Sequence, residues 1–143
     1  MIRHRANEYV IGFLFNESMT QVMLINKNRP DWQAGKINAL GGKIENNETS
    51  REAVAREIYE ESTVWTTPQE WTWLGTMSGW DWAVVVYYIL RKNLGFFNAT
   101  DEAIEIFDTD NLPDNLIHNL RWLIPMCVDR ERNQHRYGFE GIL

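Results

Sequence analysis

Hydrophobic residues in the first hundred positions fall into short runs bounded by polar turn residues, a pattern typical of β-strands. The polar residues 16–18 between the first two runs predict a hairpin, and the loop-like segment 28–36 follows, with Pro30 and Gly35. The predicted strands are Tyr9–Phe15, Gln21–Ile25, Ile37–Leu40, Trp71–Met77 and Trp82–Leu90, with a weaker one at Ala103–Phe107.

The apolar spacing changes to a helical period between Thr49 and Glu61. Either Asn47 or Thr49 can cap the start of this helix, and Thr49 places Glu52 at the third helical position, which is a capping-box pairing. Polar glutamates crowd most of the helix surface. Its apolar side is marked by Ala53, Val54 and Ile58.

A second helix is predicted at about Asn115–Cys127, after Pro113. The element order is therefore strands, helix, strands, helix. This order predicts a mixed β-sheet covered by helices, an α/β or α+β sandwich. No internal repeat or linker interrupts the pattern, so residues 1–143 are predicted to form one domain.

Composition limits the function classes. The chain has 143 residues, 44% of them hydrophobic and 24% charged, which is ordinary for a soluble globular protein, and no apolar run is long enough to cross a bilayer. A net charge of −6 argues against a general nucleic-acid binder. The single cysteine, Cys127, lies in an apolar run and is expected to be a buried hydrophobe in a reducing, cytoplasmic compartment.

Acidic side chains are concentrated on the first predicted helix. Glu57 precedes Glu60 and Glu61 by three and four positions, so their carboxylates share a face and repel one another. Hard divalent cations relieve such repulsion, and the Gly41–Gly42 pair lets the backbone approach a metal or a phosphate. Arg56 is placed to hold a carboxylate by a forked ion pair. Taken separately, a glutamate-rich helix is usually a solvated face and a glycine pair is usually a turn.

The spacing of these residues resembles the Nudix box, here residues 42–64. In that box a glycine, a spaced glutamate, Arg-Glu, an aliphatic, Glu-Glu, a glycine and a final aliphatic recur at fixed intervals. The one departure is Thr63, where the box has a glycine that suits the left-handed residue ending a helix. We therefore expect the helix to end differently here. The matching positions are Gly42, Glu48, Arg56, Glu57, Ile58, Glu60, Glu61 and Val64.

The resemblance implies a Nudix fold, an α/β/α sandwich with a mixed sheet, and one to three Mg²⁺ or Mn²⁺ ions. It makes Arg56, Glu57 and Glu60 catalytic, with Arg56 orienting Glu57 and the identity of the general base left open. A further acidic ligand is expected from a loop after the box. The candidate is Glu102, with Asp101 and Glu105 as alternatives. The implied metal ligands are the Gly41 carbonyl, Glu57, Glu60, Glu61 and, from that loop, Glu102.

The segment that enters the box resembles the MutT-like branch of the family, which acts on purine nucleoside triphosphates, including oxidised ones. There an Asn in the strand before the box reads the base, and Asn38 falls at that position, although a strand-end role explains it equally well. A ring from the stretch 80–82 could stack on a base, but burial is the simpler explanation for it. The predicted substrate-binding residues are Asn38, Gly42, Lys43, His118 and Asn119.

The function implied by the resemblance is Mg²⁺-dependent hydrolysis of a (d)NTP to the monophosphate and pyrophosphate. A second enzymatic hypothesis is hydrolysis of ADP-ribose, a dinucleotide or a nucleotide-capped RNA. A hypothesis of another class is a non-catalytic, nucleotide-binding module, which usually lacks box glutamates that this chain keeps. The expected partner is a small nucleotide, with no stable nucleic-acid or membrane binding, and the sequence predicts no oligomeric state.

Overall fold

A computed structural model describes residues 7–133 and 139–142, which form a mixed β-sheet with two α-helices and a short 3₁₀ turn at Pro68–Glu70. The strands and helices, in chain order, are β1 (Asn7–Asn16), β2 (Gln21–Asn26), β3 (Ile37–Asn38), β4 (Leu40–Lys43), α1 (Ser50–Ser62), β5 (Thr72–Ser78), β6 (Trp82–Arg91), β7 (Ile104–Asp108), α2 (Leu120–Arg132) and β8 (Phe139–Ile142).

The centre of the sheet is β1, which pairs with β6 along one edge in parallel. Its other edge is shared by two antiparallel strands. β2 pairs with the second half of β1, where Leu14 faces Met23, and β4 pairs with the first half, where Gly12 faces Leu40. The sheet therefore splits beside β1, and β4 leads directly from this split into the loop before α1. The remaining order is β3-β2-β1-β6-β5-β8, with β7 on β2.

Alternate residues of β1 supply two cores. Phe13 and Phe15 point to a core shared with α2, whereas Val10 and Leu14 point to a core shared with α1. This alternation follows from the two-residue period of a strand whose faces are both covered. α1 can approach β1 closely because Gly12 has no side chain. A Cβ at this position would lie 2.7 Å from Val54 Cγ2. The predicted α/β/α sandwich with a mixed sheet is confirmed.

The predicted start of the second helix is wrong. Leu116 forms an isolated parallel bridge with Ile37 of β3, where Ile37 N–H donates to the Asn115 carbonyl at 3.0 Å and Ile117 N–H donates to the Ile37 carbonyl at 2.8 Å. Backbone groups committed to such a bridge cannot also make helical hydrogen bonds, so α2 begins at Leu120 and continues to Arg132. Its buried face includes Cys127, as expected.

Two further differences concern short strands. The single strand predicted at Ile37–Leu40 is interrupted at Ala39, and its halves β3 and β4 pair with different neighbours. β8 was not predicted; it pairs in parallel with β5 through Gly75, where the Phe139 ring occupies the place of a Cβ. In the described part of the chain no helix is long and apolar enough to cross a membrane.

Candidate active site

The first turn of α1 fixes which of its residues face the core and which face β4. Glu52 N–H donates to Thr49 Oγ1 at 3.1 Å, and Thr49 N–H donates to Glu52 Oε1 at 2.8 Å, which is the predicted capping box. The cap directs Ala53, Val54 and Ile58 into the core. Glu57 and Glu61 therefore come to the side of the helix that faces β4, the strand that carries the paired glycines.

The end of α1 contradicts the sequence expectation. Thr63 has φ 63° and ψ 9°, so a β-branched residue takes the left-handed conformation that the family's glycine would take. Thr63 N–H donates to the Tyr59 carbonyl at 2.9 Å, and its Oγ1 donates to the Ser62 carbonyl at 2.6 Å. A left-handed β-branched residue costs on the order of 1–2 kcal/mol. The cost of the departure from the box thus falls on stability, while α1 still ends on a left-handed residue at Thr63.

The paired glycines bring β4 against the acidic face of α1. A Cβ on Gly42 would lie 2.5 Å from Glu57 Oε1, so only glycine leaves room for this carboxylate. A Cβ on Gly41 would collide with the Val10 carbonyl of β1. Gly41 N–H donates to Glu61 Oε1 at 2.9 Å. The glycine pair therefore positions both carboxylates against the split in the sheet.

Arg56 connects the other carboxylates. Its forked pair goes to Glu48, at 2.6 and 3.0 Å, and its Nη1 lies 2.8 Å from Glu57 Oε1 and 3.3 Å from Glu60 Oε2. Arg56 also donates to the Lys43 carbonyl at 3.0 Å. The hydrogen bond from Arg56 lowers the pKa of Glu48 and keeps it ionised. The expected contact with Glu57 is present, although the fork itself holds Glu48.

Burial separates the acidic side chains. Burial raises the pKa of Glu57, and Glu60 is more exposed. Burial, opposed by the Gly41 N–H and reinforced by the charge of Glu57, raises the pKa of Glu61 to about 8. Carboxylates destabilised by burial and by each other have free energy to gain from a bound cation.

Glu102 reaches the same place from the loop before β7. It is 5% exposed, and the structure places it close enough to Glu61 for its charge to raise that pKa. Its Oε1 accepts from Lys27 Nζ at 3.0 Å, and its Oε2 accepts from Asn28 N–H at 2.6 Å. These donors, against the opposing effect of burial, lower the pKa of Glu102.

The two alternatives to Glu102, Asp101 and Glu105, contact other residues. Asp101 pairs with Arg29 at the surface, at 2.6 Å, and Glu105 accepts from Asn26 at 3.2 Å. The loop itself is tied to the last turn of α1, because Ala99 N–H donates to the Glu61 carbonyl at 3.2 Å. The structure therefore brings Glu57, Glu60, Glu61 and Glu102 to one end of the sheet.

The donor chemistry of this end fits a hard divalent cation: carboxylate oxygens next to a glycine backbone that allows close approach. With Arg56 on Glu57 and the Gly41 N–H on Glu61, no three acidic, His or Cys side chains among the described residues already converge in a metal-holding arrangement. Both hydrogen bonds go to Oε1 of their carboxylates, so Glu57 Oε2 and Glu61 Oε2 could turn to an ion while these donors stay in place.

A cavity of about 700 Å³ opens beside the carboxylates. Four of the residues predicted to bind metal or substrate line it: Gly41, Gly42, Asn38 and Asn119. Lys43 and His118 are exposed and do not belong to its lining, so their predicted contacts with substrate stay predictions. The cavity meets the acidic cluster at the glycine pair, with Lys27 also at this boundary.

Other lining residues were not singled out from the sequence: Lys27, Trp32, Gln33, Met77 and Ile117. Of the aromatic stretch considered for stacking, Trp82 lines the cavity, whereas Trp80 is 86% exposed and does not. Gly79 lets Trp82 fold back, because a Cβ there would overlap the indole. Trp32 and Gln33 lie in the segment 32–42, which the sequence had marked by its loop-like start and by its resemblance to the MutT-like branch, without a role for either residue.

Comparison with known proteins identifies the class. A family model described as the NUDIX domain matches residues 6–136, and the chain belongs to this family of hydrolases. No curated protein matches the chain in sequence. Its fold is similar to that of a MutT NUDIX hydrolase from Burkholderia pseudomallei, with TM-score 0.72, 24% identity and coverage of 87% of this chain and 98% of that one.

Two other solved structures share the fold. An ADP-ribose pyrophosphatase from Streptococcus suis has TM-score 0.73 and 16% identity, over 96% of this chain and 98% of that one. The NUDIX domain of Shewanella oneidensis NrtR, complexed with ADP ribose, has TM-score 0.73 and 17% identity, over 92% of this chain and 90% of that one. At these identities the likeness establishes the fold alone.

Proposed function

We propose that this Nudix hydrolase cleaves a (d)NTP, with purine nucleotides, including oxidised ones, as the preferred class, into the nucleoside monophosphate and pyrophosphate in a Mg²⁺- or Mn²⁺-dependent reaction. The observation that carries the proposal is the junction at Gly41 and Gly42, where a carboxylate cluster meets a cavity of about 700 Å³. Such a junction suits a ligand with a phosphate chain at one end and a flat base at the other.

Glu57, Glu60, Glu61 and Glu102, with the Gly41 carbonyl, would hold the divalent ions. Bound there, the metal would supply charge neutralisation of the phosphates and activation of a water for attack on phosphorus. Arg56 keeps Glu57 turned towards β4. Glu57, Glu60 and Glu61 are all candidates for accepting the proton of the attacking water, and the geometry does not single out one of them.

The cavity would hold the base. Asn119 Oδ1 is buried and has no hydrogen-bond partner among the described residues, so a donor from a ligand would relieve the cost of burying it. The indole of Trp82 and the side chain of Ile117 supply apolar walls for a base. Polar groups placed among such apolar walls orient a ligand and select among ligands of similar shape.

Hydrolysis of ADP-ribose is the second candidate. It is favoured by the similarity of the fold to the Streptococcus suis ADP-ribose pyrophosphatase. The two reactions share the metal chemistry and differ in their products. ADP-ribose would yield AMP and ribose 5-phosphate, with no pyrophosphate.

A nucleotide panel tests the proposal. Canonical and oxidised (d)NTPs, ADP-ribose and a dinucleoside polyphosphate are incubated with Mg²⁺, with Mn²⁺ or with EDTA, and products are identified by mass. The proposal predicts monophosphate and pyrophosphate from a purine triphosphate, and no products in EDTA. Preferential turnover of ADP-ribose, with ribose 5-phosphate as a product, would support the second candidate. Absence of turnover of every compound would overturn both.

A further inference from the structure

The side-chain amide of Asn38 is already used within the protein. Its Nδ2 donates to Gln33 Oε1 at 2.9 Å, and its Oδ1 accepts from Ala39 N–H at 2.8 Å. An amide offers one oxygen and one NH₂ group, so both ends of Asn38 are engaged. This arrangement suits a residue that orients a neighbour better than one that reads a base directly.

The neighbour that Asn38 orients is Gln33. Because Gln33 Oε1 accepts from Asn38, its NH₂ group must occupy the other branch of the amide. Gln33 is half-buried and lines the cavity, and its backbone is fixed by donation to the Pro30 carbonyl at 2.8 Å. Among the described residues, Gln33 Nε2 has no hydrogen-bond acceptor. The cavity thus contains an oriented donor.

The same cavity contains an oriented acceptor. Asn119 Nδ2 lies 3.9 Å from Met77 Sδ, a weak acceptor, and this leaves Asn119 Oδ1 as the buried, unpaired atom. Gln33 and Asn119 are therefore two lining residues of one cavity, the first carrying a donor, Nε2, and the second an acceptor, Oδ1. A nucleobase edge that carries a ring nitrogen or carbonyl acceptor beside an N–H donor complements them.

We propose that Gln33 is the specificity-determining residue that donates to the base, paired with Asn119 as the acceptor, and that Asn38 is a positioning residue that sets which atom Gln33 presents. The inference rests on the proposed function, since it assumes that the ligand of the cavity is a nucleotide. It replaces the expectation that Asn38 itself reads the base.

Replacing the NH₂ group of Asn38 by an oxygen is expected to reverse the orientation of the Gln33 amide. An Asn38→Asp substitution keeps the acceptor for Ala39 N–H but removes the donor to Gln33 Oε1. Gln33 then gains hydrogen bonds by turning its NH₂ group towards the new carboxylate, and it presents Oε1 to the cavity. Asn38→Asp and Gln33→Glu are thus expected to change base preference in the same direction, because both replace the donor in the cavity by an acceptor.

The experiment measures kcat and KM over a panel of (d)NTPs with Mg²⁺, together with inhibition constants of the matching nucleoside monophosphates. Gln33→Glu and Asn38→Asp are expected to raise KM and the inhibition constant for the best nucleotide by roughly 5- to 20-fold, the effect of one lost hydrogen bond in a buried site, with kcat within about threefold. Gln33→Met, which keeps the length of the side chain, should flatten the preference.

The decisive comparison is Asn38→Asp in the Gln33→Met background. If Asn38 acts through Gln33, the second substitution leaves base preference unchanged in that background. If it shifts the preference as strongly as it does in the wild-type background, Asn38 contacts the base and the inference is overturned. Thermal unfolding of each variant identifies any loss of fold, and Gln33→Met, at a half-buried position, provides the measurement if Asn38→Asp does not fold.

The inference and the proposed function fail differently. Absence of turnover of every nucleotide by the wild-type protein would overturn the proposed function. Turnover by the wild type with an unchanged base preference in Gln33→Glu and Gln33→Met would overturn the role of Gln33 alone.

Discussion

The carboxylate cluster on α1 and the cavity over the sheet meet at the glycine pair, yet they are built on opposite principles. In the cluster the charged groups are matched: Arg56 contacts Glu48, Glu57 and Glu60, and Lys27 contacts Glu102. In the cavity polar side chains alternate with apolar ones, and one acceptor, Asn119 Oδ1, is buried without a partner among the described residues. The cluster is suited to phosphate chemistry common to many substrates, and the cavity is suited to choosing among them.

The largest expected effect comes from neutralising the cluster. Glu57→Gln and Glu60→Gln should each lower kcat by about two to four orders of magnitude, because each removes a charged oxygen ligand for the divalent ion. The fold should persist, since removing one of several like charges relieves repulsion on the helix. Steady-state kinetics and circular dichroism provide the measurements.

Glu17→Gln, in the exposed β1–β2 turn, is the matched control and should leave kcat unchanged. Wild-type turnover in both cluster variants would show that the cluster is a solvated surface, and the contrast between the two regions would disappear.

A smaller effect is expected from Arg56→Lys. Lysine keeps the charge but cannot form the fork to Glu48 while also contacting Glu57. We expect kcat to fall about 10- to 100-fold, the usual effect of losing a residue that orients a metal ligand, with a loss of about 1–2 kcal/mol in the free energy of unfolding. Kinetics and urea denaturation measure the two changes.

Arg91→Lys provides the control for the chemistry of the substitution. Arg91 also pairs with a carboxylate, Glu70, but outside the cluster and with both side chains partly exposed, at 31% and 42%. A partly exposed pair contributes little, so this variant should match the wild type in both measurements. Equal losses in the two variants would show that the position of Arg56 in the cluster has no special importance.

Substitutions in the cavity are expected to change KM more than kcat. Asn119→Ala removes the unpaired buried oxygen, and we expect KM for the best nucleotide to rise roughly 5- to 10-fold with kcat within about twofold. Stability should not fall appreciably, because the lost acceptor has no hydrogen-bond partner within residues 7–133 and 139–142. Both His118 and Asn119 were predicted from the sequence to bind substrate, but only Asn119 lines the cavity, so His118→Ala at the adjacent exposed position should change KM less. A larger KM effect for His118→Ala than for Asn119→Ala would contradict the role given to the cavity.

The smallest effect concerns the end of the helix that carries the cluster. Thr63→Gly should raise the free energy of unfolding by about 0.5–1 kcal/mol, because glycine adopts φ 63° without the steric cost of a β-branched side chain. Turnover should stay within about twofold. Thr67→Gly, at a position with φ −91°, should instead be destabilising. Urea denaturation that gave the same sign for both would contradict the conformational explanation.

Sequence predicted the cluster better than the cavity for a physical reason. The box residues on α1 are placed by the local helical period, and the capping box of Thr49 and Glu52 fixes that period. Glu57 and Glu61 are accordingly side by side, as expected from their spacing. Gly42 is likewise explained by one local contact, that with Glu57.

The cavity is assembled from segments far apart in the chain. Gln33 lies in a loop, Trp82 begins β6, and Asn119 precedes α2. No local period relates such residues, so their meeting depends on sheet pairing. The pairing of residues 115–117 with β3, which also displaced the start of α2, brings Asn119 to the cavity. That pairing had no local sequence signal.

The most direct test of the cluster is a Mn²⁺-binding titration, followed by electron paramagnetic resonance of the free ion, on the wild type and on Glu57→Gln, Glu61→Gln and the control Glu17→Gln. The account predicts saturable binding to the wild type and to Glu17→Gln, and affinity at least about tenfold weaker in the two cluster variants. Equal affinity in all four proteins would contradict the assignment of the divalent ions to the acidic face of α1.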